Sequence, residues 1–256
     1  MNQRHVMLTA GLTSVTFRKL CCEEIISLTK RAGLEVIEWG GDVHVPHGAI
    51  KRAREVRAMM ADNGLRTSSY GSYYCCGMDQ KTIEFEKILE TAAELNAPLI
   101  RVWAGNKGSN ESTEKEREVV VLDSRRIAKL ACHAGIKIGF EFHNGSLSDN
   151  AEAMRSLIME IGQPGLGAYW QTPMGMPFEE CCASLEVVLP YLLNLHVFYW
   201  AGEQRMLLAE GNELWRILFE IVKKSPENHS ALLEFVLNDD ISFFMKDAKT
   251  LVDLLK

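Results

Sequence analysis

Eight short runs of β-forming residues recur along this chain, and stretches of helical composition separate them. The runs are Met7–Leu12, Val36–Gly40, Leu65–Tyr70, Leu99–Ala104, Lys137–His143, Gly167–Gln171, Leu193–Tyr199 and Ala231–Val236. Their spacing of roughly 30 residues is the size of a strand–helix unit. Helical stretches are expected at Cys22–Ala32, Ile50–Asn63, Asp79–Asn96, Ser124–Ala134, Glu213–Lys224 and Ile241–Leu255. The first ends in Lys30-Arg31, which suits a helix C-terminus, and Gly33, Gly64 and Gly135 follow three of them as stop signals. Strict alternation of this kind implies a parallel sheet with helices outside.

Such a sheet can lie open or close on itself. The open form usually carries a glycine-rich phosphate turn after its first strand. Here that strand leads into Gly11-Leu-Thr-Ser-Val-Thr-Phe17, which lacks the pattern. Eight units in 256 residues, close to the usual size of about 250, point to an α/β fold: a single (β/α)8 TIM barrel, parallel and eight-stranded, with residues 1–256 as one domain.

Composition removes several functions. The net charge of −6, with no basic stripe, argues against nucleic acid as a partner. No apolar run reaches about 18 residues, so no membrane span is expected, and the N-terminus shows no secretion signal. Six of the seven cysteines stand as adjacent pairs, Cys21-Cys22, Cys75-Cys76 and Cys181-Cys182, and neighbours are poor disulfide partners. An odd count without a signal suits the cytoplasm, with the thiols as small buried side chains.

In a barrel of this kind the chemistry gathers at the C-terminal ends of the strands. The fifth run reads Lys137-Ile-Gly-Phe-Glu-Phe-His143. Alternation sets Ile138, Phe140 and Phe142 under the helices and turns Gly139, Glu141 and His143 inward. The eighth places Glu234 on the face opposite Leu233 and Phe235. The seventh places His196 between Leu195 and Val197, and the sixth ends in Gln171. A strand histidine alone is usually a hydrogen-bonded core residue, and a glutamine says less. Two glutamates among Phe and Leu need a cation or strong donors. Together Glu141, Gln171, His196 and Glu234 make a donor set for one divalent ion such as Mn, Mg, Co or Zn.

With those residues assembled, the chain resembles the sugar phosphate isomerase/epimerase superfamily, the xylose isomerase-like TIM barrels. The resemblance is carried by Ile37-Glu-Trp-Gly-Gly-Asp42, Ile100-Arg-Val-Trp-Ala-Gly105, Phe140-Glu-Phe-His143, Leu195-His-Val-Phe198 and Leu233-Glu-Phe235. It implies a divalent ion on Glu141, His196 and Glu234, with an Asp on the sixth strand where this chain has Gln171. It also implies a histidine three residues beyond, where this chain has Met174. The related endonuclease IV type uses a histidine-rich trinuclear zinc cluster. The third and fourth runs here end in Ser69-Tyr70-Gly71 and Trp103-Ala104-Gly105 without histidine, which sets DNA repair aside.

The expected activity is that of an isomerase or epimerase of a small sugar or polyol-derived ketose in carbohydrate metabolism. A proton next to a carbonyl is removed to give an enediolate, with Glu141 and Glu234 as catalytic groups. A dehydratase of the inosose type, or a catalytically weak sugar-binding protein, is the alternative. Substrate contacts are expected from His143, Glu38, His44, Trp103 and Arg205, with His44 and His47 in a loop over the pocket. Trp39, Trp103, Phe17 and Trp200 are candidates for an apolar wall, Trp200 leaning towards barrel packing. Arg101 must be paired if it faces inward. Beyond a small-molecule substrate, the only partner expected is a second copy of the chain in a homo-oligomer.

Overall fold

The computed structural model describes residues 7–78, 83–173 and 175–256. In chain order its elements are β1 (Leu8–Thr13), α1 (Cys22–Arg31), β2 (Val36–Gly40), α2 (Ile50–Asp62), β3 (Arg66–Cys75), α3 (Phe85–Glu94), β4 (Leu99–Trp103), α4 (Glu114–His133) and β5 (Lys137–Glu141). There follow α5 (Ala151–Ile161), β6 (Leu166–Trp170), α6 (Phe178–Val188), β7 (Leu192–Val197), β8 (Tyr199–Ala201), β9 (Gln204–Met206), α7 (Asn212–Val222), β10 (His229–Leu233) and α8 (Ile241–Leu254). Eight strands close into a barrel in the order β1-β10-β7-β6-β5-β4-β3-β2, all parallel, and β8 pairs antiparallel with β9 as a separate hairpin. The eight-stranded parallel barrel expected from the alternation is what forms.

Two apolar layers hold it. The larger lies between strands and helices, where residues such as Ile37, Ile100, Ile138, Phe140, Leu195 and Leu233 meet the buried faces of the helices. The smaller fills the barrel interior with Val36, Leu99, Tyr169 and Leu232. Because strand side chains alternate, the inward residue two positions after Val36, Leu99 and Leu232 is charged in each case: Glu38, Arg101 and Glu234. On β5 the inward Gly139 leaves room for Tyr169, whose ring carbon a Cβ there would approach to 2.7 Å. An apolar plug therefore sits beneath a polar layer at the mouth.

Five elements differ from the sequence expectation. Helices α5 and α6 and the β8–β9 hairpin were not among the expected segments. Helix α4 begins ten residues earlier than expected, on a Thr113/Glu116 capping box. The last barrel strand stops at Leu233, and Phe235 takes a φ of +53°. That left-handed step turns Phe235 into the mouth cavity beside Glu234, where alternation had put it on the opposite face. The expected helix at Asp79–Asn96 is seen as α3, and residues 79–82 lie outside the described residues. Met174, at the position of the expected family histidine, lies outside them too. Among the described residues, no helix is long and apolar enough to cross a membrane.

Candidate metal centre at the barrel mouth

Glu141 ends β5, His196 is the penultimate residue of β7, Glu234 follows β10 and Gln171 follows β6. All but Gln171 are buried to 5% exposure or less. His196 Nδ1 faces three oxygens: Gln171 Oε1 at 3.2 Å, Glu234 Oε2 at 3.4 Å and Glu141 Oε1 at 3.7 Å. A divalent ion with ligand bonds of about 2.1 Å separates adjacent ligand atoms by about 3.0–3.4 Å in octahedral or tetrahedral geometry. The observed spacings are close to that range. Ligand atoms of Glu141, His196 and Glu234 all lie within 4.8 Å of one another. Among the described residues, neither Glu234 Oε2 nor His196 Nε2 has a hydrogen-bond partner. Buried polar atoms are seldom left in that state, and an ion would satisfy the glutamate oxygen. The residues present fit one divalent ion.

The rest of the cluster explains how such acids stay buried. Arg101, inward on β4 and 2% exposed, donates from Nε to Glu38 Oε1 at 3.0 Å and from Nη1 to Glu141 Oε2. Trp103 Nε1 donates to the same Glu141 oxygen at 2.5 Å, and Ser69 Oγ donates to Glu38 Oε2 at 2.8 Å. Gly71 makes space for the guanidinium: a Cβ there would lie 2.8 Å from Arg101 Nη2 and 3.1 Å from Glu38 Oε1. Tyr73, at φ +56° in a bulge of β3, places its ring 5.4 Å from the guanidinium. Arg101 balances Glu38, which leaves Glu141 and Glu234 as the two negative charges a divalent ion would neutralise. The imidazole is fixed from below by Tyr169, whose ring centre is 5.2 Å away and whose hydroxyl accepts from Asn194 Nδ2 at 3.0 Å.

Burial and neighbours pull the titrations in opposite directions. Burial opposes charge on Glu38, but Arg101 and then His196 outweigh it and hold the carboxyl well below its usual range. Burial likewise disfavours the imidazolium of His196, and Glu234 and Glu38 overcome it, pushing His196 up to about 9. Glu234 moves upward: burial raises it, His196 opposes and Glu141 adds repulsion. Without an ion, the cluster therefore holds protons where an ion would otherwise supply positive charge.

The expected substrate contacts separate. His143 and Trp103 line the mouth cavity with their rings 5.2 Å apart, and Arg205 lines it from β9. Glu38 sits under the floor as partner of Arg101 rather than on the cavity wall. His44 is buried outside the cavity, its Nε2 donating to Leu20 O at 3.2 Å and its ring against Trp39. The loop that carries it folds back onto α1 and β2, so the expected lid does not form there. His47 likewise bonds Tyr70 Oη, at 2.7 Å. Trp39 belongs to the outer core, while Phe17, Trp103 and Trp200 line the cavity, Trp200 from the hairpin and not from barrel packing. Tyr73, Phe198 and Phe235 complete the wall without having been expected there. For Arg101, expected only as a conditional, the signal was plain: a charge in Leu99-Ile-Arg-Val-Trp103 with the same parity as Leu99.

Residues 26–173 match the sequence family described as xylose isomerase-like TIM barrel. Among solved structures, the chain is similar to a probable 3-DHS dehydratase of Bacillus anthracis involved in petrobactin synthesis, with 19% identity and a TM-score of 0.77 over 96% of this chain and 99% of that one. It is also similar to a xylose isomerase-like TIM barrel protein of Mycobacterium smegmatis in complex with magnesium, at 15% identity and a TM-score of 0.70 over 97% and 96% of the two chains. A third likeness is a D-psicose 3-epimerase of Clostridium cellulolyticum H10 with D-tagatose, at 14% identity and a TM-score of 0.69 over 96% and 98%. No curated protein matches the sequence.

Proposed function

The chain belongs to the xylose isomerase-like TIM barrel family, and we propose that within it this protein is a divalent-metal-dependent isomerase or epimerase of a small sugar or polyol-derived ketose. The observation that carries this reading is the convergence of Glu141 Oε1, Gln171 Oε1 and Glu234 Oε2 on His196 Nδ1 at the mouth of the barrel. A divalent ion there supplies positive charge to the oxygen that becomes negative when a proton leaves the adjacent carbon.

The chain's own residues divide the remaining work. Glu141 holds its position because Arg101 and Trp103 bind Oε2, leaving Oε1 turned to the cluster. Its task is ligation, since a proton on Oε2 would break the Arg101 pair. Glu234 borders the cavity and turns Oε2 towards His196, which leaves its other carboxylate oxygen free of the cluster. It takes the proton from the substrate carbon and delivers it to the neighbouring carbonyl carbon, while the hydroxyl proton passes to the former carbonyl oxygen; inversion at one carbon instead needs delivery from the opposite face. Gln171 is oriented by donating Nε2 to Phe142 O at 2.8 Å, which presents Oε1 towards His196. His143, half of the Trp103 stack, is placed to meet a substrate hydroxyl.

The test is exchange of the substrate α-proton with solvent deuterium, followed by NMR over a panel of ketoses with Mn²⁺ and with chelator. Exchange that needs metal and vanishes in Glu234→Gln supports the reading. Full exchange in that variant removes Glu234 from the role. A product lighter by one water would replace isomerisation with dehydration, which begins with the same proton abstraction.

A further inference from the structure

The cavity above the cluster measures about 860 Å³, towards the top of the range of about 300–1,000 Å³ that suits drug-sized ligands. A single small ketose beside Glu141 and Glu234 fills only part of that volume. Next to that cluster, the wall built by the β8–β9 hairpin and the segment after β10 has a different chemistry. Phe198, Trp200 and Phe235 meet there edge to face, with ring centres 5.4 Å (Phe198–Phe235), 5.7 Å (Trp200–Phe235) and 6.1 Å (Phe198–Trp200) apart. Arg205 is the cross-strand partner of Trp200. Its guanidinium lies 5.1 Å from the Phe235 ring and 5.6 Å from the Trp200 ring, and Asp239 holds it at 2.6 Å.

This wall is assembled against local preference. Phe235, Asn238 and Asp239 all have positive φ, and a bulky aromatic in that region is strained. The strain at Phe235 is what brings its ring into the cavity. A longer free polyol would want hydrogen-bond donors and acceptors along this wall, whereas three rings and a stacked guanidinium offer flat apolar faces.

We propose that the substrate is a keto-sugar unit bearing a flat aromatic group, with the sugar at the Glu141–His196–Glu234 end and the aromatic ring against Trp200 and Phe235. The sugar half of this assignment rests on the function proposed above, and the aromatic half rests on the cavity wall alone. Trp200, Phe235 and Arg205 act as specificity residues and take no part in moving the proton.

The test is isothermal titration of the Mn²⁺-loaded protein with methyl β-D-glucopyranoside, cellobiose and 4-nitrophenyl β-D-glucopyranoside. None of these carries a ketone, so turnover is not needed. The aryl glucoside is expected to bind about tenfold more tightly than the methyl glucoside. Trp200→Ala should remove that advantage and leave methyl glucoside affinity within about twofold, while Trp200→Phe should retain most of it. Equal affinities for the aryl and methyl glucosides overturn the aromatic subsite, as does a loss of affinity for both in Trp200→Ala. Cellobiose binding as tightly as the aryl compound overturns the aromatic assignment in favour of a second sugar ring. Failure of deuterium exchange with an intact aryl preference would sink the isomerase reading and the keto-sugar half, and leave the aromatic half standing.

Discussion

Arg101 is the residue on which the mouth of the barrel depends, because its guanidinium is bound to both Glu38 and Glu141. Replacing one member of a buried ion pair leaves the other charge without compensation, which typically costs about 3–5 kcal/mol. Arg101→Met should therefore lower the unfolding free energy measured in urea by an amount in that range. A change below about 1 kcal/mol would show that Glu38 and Glu141 find other partners. Asp247 on α8 makes a second prediction, this time with a pH sign. Its carboxylate accepts from Leu208 N at 2.8 Å and is 3% exposed. Burial raises it to about 6, against the pull of the Leu208 bond and with a push from Glu210. A carboxyl that holds its proton more firmly folded than unfolded makes the fold more stable as pH falls from 7 through 6, levelling off near 4. Asp247→Asn keeps the acceptor and cannot ionise. It should flatten that pH dependence and stabilise the protein at pH 7, with an upper bound of about 3 kcal/mol. Denaturation curves at pH 4.5 and 7 decide the matter, and a variant less stable than the parent at pH 7 would refute it.

At the scale of elements, what could be read from the sequence followed the strength of local signals. Barrel strands such as Val36–Gly40 and Lys137–Glu141 emerged close to their expected bounds because they are short apolar runs between glycine stops. Helix α4 shows a signal that was present and unread. Thr113-Glu-Lys-Glu116 is a capping sequence, and Thr113 Oγ1 accepts from Glu116 N while Glu116 accepts from Thr113 N at 2.9 Å. Thr113→Ala should cost about 1 kcal/mol in thermal or urea unfolding, and no measurable loss would mean the first turn is held by packing instead. Helix α6 follows Pro177 with no side-chain cap, so its only local start signals were Pro177 and the acids Glu179 and Glu180. The β8–β9 hairpin begins at Tyr199, where the expected strand from Leu193 ends, and it went unread because a turn at Gly202 separates strands of only three residues. The inward placing of Glu141, His196 and Glu234 at the mouth was legible from parity, and that of Gln171 from its position at a strand end. Arg101's double pairing and Phe235's turn into the cavity were not, since both depend on contacts between strands or on a backbone conformation that alternation does not encode.

For the whole molecule, the arrangement of layers decides how the site and the fold are coupled. An apolar plug of Val36, Leu99, Tyr169 and Leu232 closes the barrel below, so the charged layer above it has no water on its lower side. Seven of the eight barrel strands or the residues just after them contribute to that layer, through Glu38, Ser69, Arg101, Glu141, Gln171, His196 and Glu234. Any relief of its excess negative charge therefore acts on the closure of the barrel as a whole, and not on a single loop. An ion that binds the folded form and not the unfolded chain stabilises by mass action, about 2.7 kcal/mol at a hundredfold excess over its dissociation constant. For a chain of this size that corresponds to a rise in Tm of about 5–10 °C. Mn²⁺ added to chelator-treated protein should produce a shift of this order that saturates at one ion per chain. Glu234→Gln removes one of the two negative charges facing the ion, so the same titration on that variant should give a markedly smaller shift. If the parent and Glu234→Gln respond alike, the stabilising ion sits elsewhere on the acidic surface, and the convergence of Glu141, Gln171, His196 and Glu234 has been read for the wrong chemistry.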